Sequence, residues 1–330
     1  MTSDMQKNIA IVAGGYSSEY EVSIGSAEQV KNNLDQFEEY QNFIIQITEN
    51  EWFYEEEGSR YPLDKSNFSL RYHDTTLVFD CVFIAIHGTP GEDGLLQSYF
   101  ELLHIPYTSC NQKTAFLTFN KFACKAYLDR FGIRGADYLM AKKREMPDYE
   151  AIKQKIGFPC FVKPNNSGSS FGVSKVHDIS AMEAAFQKAW EEDDEAIIEQ
   201  CISGQEFACG VFQSPGHSYV LPVTEIISEN EFFDYEAKYK GKSKEVTPAA
   251  ITDELKNEIQ KMSEKIYELV NCQGLARVDF LYDGNQLFFL EINTVPGLSK
   301  ESIVPQQIRA AGYTVPQFYK WMLEEAMGRV

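Results

Sequence analysis

The amino-acid sequence predicts an α/β protein whose first part is built on a parallel sheet. Two apolar runs carry that expectation. Lys7 to Ala13 and Cys81 to Ile86 read as buried strands, and they stop at Gly14-Gly15 and His87-Gly88. A helical spacing of apolar residues follows each strand, around Ser23 to Leu34 and from Leu95 to Leu103. Alternation of this kind puts ligand-facing loops at the carboxyl ends of parallel strands. Residues 48 to 75, between the two units, are polar and aromatic and include Glu55-Glu56-Glu57. They read as a peripheral hairpin without a function.

The pattern changes after about residue 110. Asn120 is placed to cap a helix through Lys121 to Leu128. Phe158 to Lys163 and Gly172 to Val176 read as the strands of a hairpin, and Ser180-x-x-Glu183 as a capping box for a helix from Ala181 to Trp190. A third block follows, with strands near 196–202, 205–213 and 218–227, a Gly/Lys-rich loop near 239–248 and a helix near 252–270. Strands at 275–282 and 286–292 close it. No internal repeat or low-complexity linker separates the blocks, so tight packing is expected.

Composition narrows the function. The chain has 330 residues, 44% of them apolar, and a formal net charge of -19. That charge opposes nucleic acid or an anionic membrane as a partner, whereas a few local lysines suffice for a small anionic ligand. No apolar stretch is long enough to span a membrane, and the opening residues lack the apolar core of a signal peptide. The seven cysteines are odd in number and show no C-x-x-C spacing. Reduced thiols in a cytoplasmic protein are expected.

Four segments carry chemistry. The first pairs Leu275-Ala276-Arg277-Val278-Asp279-Phe280 with Leu290-Glu291-Ile292-Asn293 across a turn at Asp283-Gly284-Asn285. Arg277 and Asp279 share a strand face, as do Glu291 and Asn293. Asp279, Glu291 and Asn293 offer the hard oxygens that Mg²⁺ takes together with phosphate, and Arg277 suits a transferring phosphoryl group. Asp279 must then lie opposite Glu291, which predicts an odd-length loop or a bulge, because a one-residue slip sends the pairs to opposite faces. A polar strand face with ordinary salt bridges would show the same pattern.

The second segment, KPNNSGSSFGVSK at 163–175, can surround an anion with hydroxyls, backbone N–H groups and Lys163. It is not the G-x-x-x-x-G-K-[ST] loop, and turn propensity alone also accounts for a Gly/Ser tip. Gly241-Lys242-Ser243 imitates the end of that loop, but Glu236 stands where its first glycine is required. The third segment, His87 to Gly94, sets a histidine at a strand end where ligands bind. A satisfied histidine beside a turn, with Glu92 and Asp93 serving the next helix's dipole, is the other account. The fourth, Gly14 to Ser23, is a glycine turn of a kind any α/β protein has.

In order and spacing these segments resemble the D-alanine–D-alanine ligases of the ATP-grasp superfamily. HGTPGEDGLLQS at 87–98 and Gly274 to Gly297, with its R-x-D and E-x-N-x-x-P-G elements, are the specific stretches, and Asp234-Tyr235-Glu236-Ala237-Lys238-Tyr239 adds a third. The resemblance covers nearly the whole chain and is weakest over 36–75. It implies an N-terminal pre-ATP-grasp, Rossmann-like domain (1–110) and a two-part ATP-grasp fold, with a central lid domain (111–197) and a C-terminal catalytic and metal-binding domain (198–330).

The resemblance also implies an activity. ATP phosphorylates the carboxylate of one D-alanine, and the amine of a second D-alanine attacks the acyl phosphate, for peptidoglycan precursor synthesis. Glu19 matches the glutamate that holds the first ammonium, and His87 lies near that substrate's carboxylate. Lys121 and Lys163 match the phosphate lysines, with Ser169 and Ser170 in the loop that closes over them. Ser169 also matches a serine bonded to that glutamate and to a tyrosine, here Tyr239, while Lys238 lies on another closing loop. Glu199, Gln200 and Ile202, with Glu206, would hold adenine and ribose. Asp279, Glu291 and Asn293 match ligands of two Mg²⁺ ions, for which Mn²⁺ can substitute. Arg277, with Gly297 near it, faces the transferring phosphoryl and the tetrahedral intermediate, and Ser302 binds the second carboxylate.

The family is usually dimeric, so a homodimer is expected. The chain departs from the family at Asn165-Asn166-Ser167, at Gln200-Cys201 and at Phe289. Competing readings are a D-alanine–D-lactate ligase, which Tyr239 disfavours, a D-alanine–D-serine ligase, and a non-catalytic ATP-binding regulatory module, although no catalytic position is missing.

Overall fold

A computed structural model of the chain describes residues 6–145, 147–228 and 243–329. Its first sheet has seven strands. Strand β1 (Lys7–Gly14) runs parallel to both β2 (Tyr40–Ile47) and the edge strand β7 (Cys81–Ile84), with Ile11 opposite Ile44 on one side and Phe83 on the other. Helix α1 (Tyr20–Leu34) begins three residues before Ser23, and α2 (Leu95–Leu103) lies where the spacing predicts it.

Residues 48–75 are not a simple hairpin. They form a four-strand antiparallel meander, β3 (Trp52–Glu56), β4 (Ser59–Asp64), β5 (Ser69–Tyr72) and β6 (Thr75–Leu77), which extends the first sheet from β2. Its aromatics are core residues: Trp52, Phe53 and Phe68 are buried, and the Phe68 ring stands edge-on to Phe100 of α2 at 4.9 Å. The polar residues between them hid this face in the sequence.

The second sheet, in the order β10-β9-β11-β8, comprises β8 (Tyr138–Lys142), β9 (Cys160–Pro164), β10 (Ser174–Val176) and β11 (Glu195–Gln200). β9 and β10 are antiparallel, so the glycine–serine loop does sit at a hairpin tip. The sheet has a core of its own around Val162, Phe186, Trp190 and Ile198. The Ser180/Glu183 capping box does not form. Asp178 caps a short 3₁₀ turn (Ile179–Ala181) instead, the helix Met182–Ala189 follows directly, and Glu183 accepts from Tyr149 and Gln187.

The third sheet contains β12 (Gln205–Ser214), β13 (His217–Val220), β14 (Thr224–Ser228), β15 (Ser243–Val246), β16 (Leu275–Tyr282) and β17 (Leu287–Asn293). The strand expected over 218–227 is two strands, separated at Leu221-Pro222-Val223, where proline has no N–H for the ladder. Helices α3 (Gln112–Phe119) and α4 (Lys121–Asp129) share a core with this sheet through Ala115, Cys124 and Leu128. Asn120 caps α4 by accepting from the Ala123 N–H.

Helix Tyr149–Lys155 packs into the core of the second sheet and Asp253–Leu269 into that of the third, and Ile303–Ala310 and Val315–Met327 follow at the end of the chain. The last one is a shared wall: Phe318, Tyr319 and Leu323 join Ile9 and Phe83 of the first sheet to Phe212 and Leu275 of the third in a single core. All seven cysteines are free, and Cys201 is the one not buried. Among the described residues no helix is long and apolar enough to cross a membrane.

Candidate active site

The floor of the site is the β16–β17 ladder. Arg277 pairs with Asn293 and Asp279 with Glu291, and a bulge next to Asp279 makes Phe280 the partner of Phe289. Leu290 is the extra residue. The intervening loop has an even number of residues, since Tyr282 pairs with Leu287, so the bulge alone brings the four polar side chains into one register. Arg277 grips Asp279 with two bonds, Nε to Oδ1 at 2.8 Å and Nη2 to Oδ2 at 2.7 Å, and Asn293 Nδ2 donates to Oδ2 at 3.1 Å. Burial opposes the guanidinium charge, but Asp279 and then Glu291 outweigh it and raise the Arg277 pKa.

Above the floor lies a cavity of about 490 Å³ between the second and third sheets. Lys121, Lys163, Glu199 and Arg277 line it, with apolar walls from Phe161, Ile226 and Leu281. Gln200, Cys201, Ile202 and Glu206 line it too. The backbone N–H groups of Gln200 and Cys201 are spent on the carbonyls of Asp137 and Pro159, leaving the Cys201 side chain as part of the wall. A mixed polar and apolar slot of this size matches a nucleotide in kind and volume.

Two lysines share one buried carboxylate. Lys163 Nζ donates to Glu199 Oε2 at 2.5 Å, and Lys125 Nζ lies 3.0 Å from Glu199 Oε1, a charge contact without hydrogen-bond alignment. Burial would raise the Glu199 carboxyl, yet Lys125 and Lys163 hold it down at about 2. Lys121 starts α4 and donates to the Ser167 carbonyl. Burial lowers its pKa; Glu291 opposes that and Lys163 adds to it. Sequence reading missed Lys125. The available signal was its position four residues after Lys121, on the helix face that carries Leu128.

The loop between β9 and β10 meets the N-terminal part of the chain here. The Ser169 hydroxyl donates to Glu19 Oε1, which stands at the N-cap of α1. Ser169 and Ser170 both have positive φ, 46° and 59°, in a turn closed by Phe171 N–H to Gly168 C=O at 3.1 Å. Gly168 is required for the approach, because a Cβ there would lie 2.5 Å from Glu19 Oε2. The two asparagines are structural. Asn165 Oδ1 accepts from the Phe122 N–H while its amide donates to Glu195, and Asn166 donates twice to Asp193. They anchor the root of this loop to α4 and to the start of β11.

His87 is buried and uses both ring nitrogens within the protein. Nδ1 faces the Val295 carbonyl at 3.0 Å and must carry the proton, which leaves Nε2 to accept from Ser26 Oγ at 3.1 Å. Burial lowers its pKa, with Glu19 opposing, so the ring is neutral and pins the 293–297 loop to the first sheet. Glu92 accepts from the Gly88 N–H at 2.8 Å, and burial, reinforced by Glu19, pushes its carboxyl up to about 8.

Ser302 is the N-cap residue of Ile303–Ala310, yet its hydroxyl caps no N–H and instead meets Ser299 Oγ at 2.7 Å. A Cβ at Gly297 would lie 2.9 Å from Ser302 Oγ, so the two positions adjoin. Gln307 holds that helix in place by accepting from Gly210 N–H and donating to the Ala208 carbonyl. Lys238, Tyr239 and the Gly241-Lys242 pair lie outside the described residues.

Comparison with known proteins identifies the family. Residues 8–110 match the family model described as D-ala D-ala ligase N-terminus, and residues 127–324 match D-ala D-ala ligase C-terminus. A D-alanine–D-alanine ligase of Flavobacterium johnsoniae is 45% identical over 320 residues, covering 96% of this chain and 98% of that protein. The solved structure of D-alanyl-alanine synthetase A from Vibrio cholerae is similar at a TM-score of 0.89 and 27% identity, covering 98% of this chain and 99% of that one. The VanG D-Ala:D-Ser ligase of Enterococcus faecalis is similar at a TM-score of 0.83 and 32% identity, with 98% and 99% covered.

Proposed function

This chain belongs to the D-ala D-ala ligase family, and from that premise we propose that it joins two D-alanine molecules at the expense of ATP in the synthesis of cell-wall precursors. Its fold is an N-terminal α/β domain followed by an ATP-grasp. The observation that carries the site assignment is the Arg277/Asp279/Glu291/Asn293 face beneath a cavity walled by Lys121 and Lys163 and reached by a lid serine bonded to Glu19.

In this reading Glu19 holds the ammonium of the first D-alanine. A carboxylate oxygen of that substrate attacks the γ-phosphorus of ATP, and the bond to the bridging oxygen breaks to release ADP. The free amine of the second D-alanine then attacks the acyl carbon, and phosphate leaves with the electron pair as the amine loses a proton. Lys121, Lys163 and Arg277 offset the charge that builds up during transfer. Arg277 and the backbone at Gly297 face the tetrahedral carbon, and Ser302 takes the second carboxylate. The bond between Ser169 and Glu19 keeps water from the acyl phosphate by holding the lid down.

Asp279, Glu291 and Asn293 fit a pair of Mg²⁺ or Mn²⁺ ions, since all three bring oxygen donors to one face. Two carboxylates and an amide leave coordination positions for phosphate. When bound, the ions would draw charge from the phosphate oxygens. A cytoplasmic location accords with seven free thiols. A homodimer accords with Leu95 and Leu102 of α2 and Phe116 of α3, which are 60%, 81% and 62% exposed.

The deciding assay supplies Mg-ATP with D-alanine, follows ADP release and identifies the product by mass. ADP formation without dipeptide would refute the ligase reading. Because the Enterococcus faecalis relative is a D-Ala:D-Ser ligase, D-serine is the competing acceptor to include. Mixed product in its favour would reassign the second site.

A further inference from the structure

We infer that Lys125 is a positioning residue that serves as fixed counter-ion to Glu199, so that Lys163 can leave Glu199 for the nucleotide without stranding a buried carboxylate. This rests on the reading of Lys163 as a phosphate contact. Three observations carry it. The Glu199 side chain is 3% exposed and shared by two ammonium groups. Those groups are not equivalent. Lys163 projects from β9 into the cavity and its side chain is 15% exposed, whereas Lys125 approaches from α4, is 2% exposed and is absent from the cavity wall. Lys125 is also held from behind: its Nζ donates to the Phe289 carbonyl at 3.4 Å and stands 5.5 Å from the Phe289 ring.

The consequence follows from charge burial. Removing one partner of a buried ion pair is strongly unfavourable because the remaining charge is left uncompensated. With a single counter-ion, Lys163 would be locked to Glu199, and every turn toward phosphate would expose that cost. With Lys125 fixed in place, the exchange of Lys163 from carboxylate to phosphate leaves every charge paired. Glu199 then remains an ionised acceptor at the edge of the slot throughout. Phe289 supplies both the ring and the carbonyl that hold Lys125.

The test is a double-mutant cycle on nucleotide binding, with ADP and adenosine as calorimetric probes of the Mg²⁺-containing enzyme. Lys125→Met is expected to weaken ADP about tenfold or more and adenosine less than about twofold. In a Glu199→Gln background the same substitution is expected to change ADP affinity less than about twofold, because the charge it balances is gone. Equal losses in both backgrounds, or equal losses for ADP and adenosine, would make Lys125 a packing residue and overturn the inference. If Lys125→Met fails to fold while the double variant folds, the inference stands; failure of both overturns it. Lys163→Met tests the underlying reading separately, since unchanged ADP affinity there would remove the phosphate contact itself.

Discussion

The hydroxyl of Ser169 donates a hydrogen bond to the carboxylate of Glu19, 150 residues earlier in the chain. One end belongs to a strained turn and the other to the N-cap of α1, so under the proposed function the bond would couple lid position to the first substrate pocket. Ser169→Gly separates the two roles of this residue. Glycine accepts φ of 46° without the Cβ penalty, so the melting temperature should hold or rise. The lost hydrogen bond to a charged group should lower kcat/KM for D-alanine about 10- to 100-fold. Steady-state kinetics beside a thermal melt checks both; unchanged kinetics would leave the bond without a role.

Arg277 is clamped onto Asp279 at 2.7 and 2.8 Å, so in the proposed reaction it would meet the transferring group already oriented. Arg277→Ala should lower kcat by about 10²- to 10³-fold while ATP affinity changes only a few-fold. Comparable losses in both quantities would assign it to ground-state binding.

Glu92 makes stability depend on pH. Its folded-state carboxyl is pushed up to about 8 by burial and by Glu19. The native state therefore holds a proton that the unfolded chain has already released. Stability from this group is complete below the ordinary carboxylate range and is lost as pH rises toward 8. Glu92→Gln keeps an acceptor for the Gly88 N–H and removes the titration. Melting temperatures measured from pH 5 to 8 should fall less steeply for the variant than for the parent. Parallel curves would show that Glu92 does not titrate in that window.

Cys201 lines the cavity and is the one cysteine that is not buried. A maleimide should label a single site in the native enzyme, identified by peptide mass as Cys201, and Mg-ATP should slow the labelling. Labelling that ATP leaves unchanged would place the nucleotide away from this wall.

Leu95 and Leu102 are seven residues apart on one face of α2, beside the exposed Phe116 of α3. If that face joins two copies, Leu102→Glu should convert a dimer to a monomer in sedimentation velocity. A dimer that persists would put the interface elsewhere.

The sequence by itself determined the local parts. Period and capping located α2 and α4 within a residue or two. The two-residue spacing of Arg277 and Asp279, and of Glu291 and Asn293, demanded either an odd-length loop or a bulge, and the ladder contains the bulge. These are near-neighbour rules, set by backbone geometry within a few residues.

What only the tertiary structure decided depends on which distant segments dock. The polar meander at 52–77 became sheet because its aromatics met Phe43 and Phe100. Asn165 and Asn166 became anchors because α4 and β11 brought partners to them. His87 became a pin and Lys125 a counter-ion only when Val295 and Glu199 arrived beside them. Which distant partner a buried or charged group meets is a property of space, and spacing along the chain does not report it.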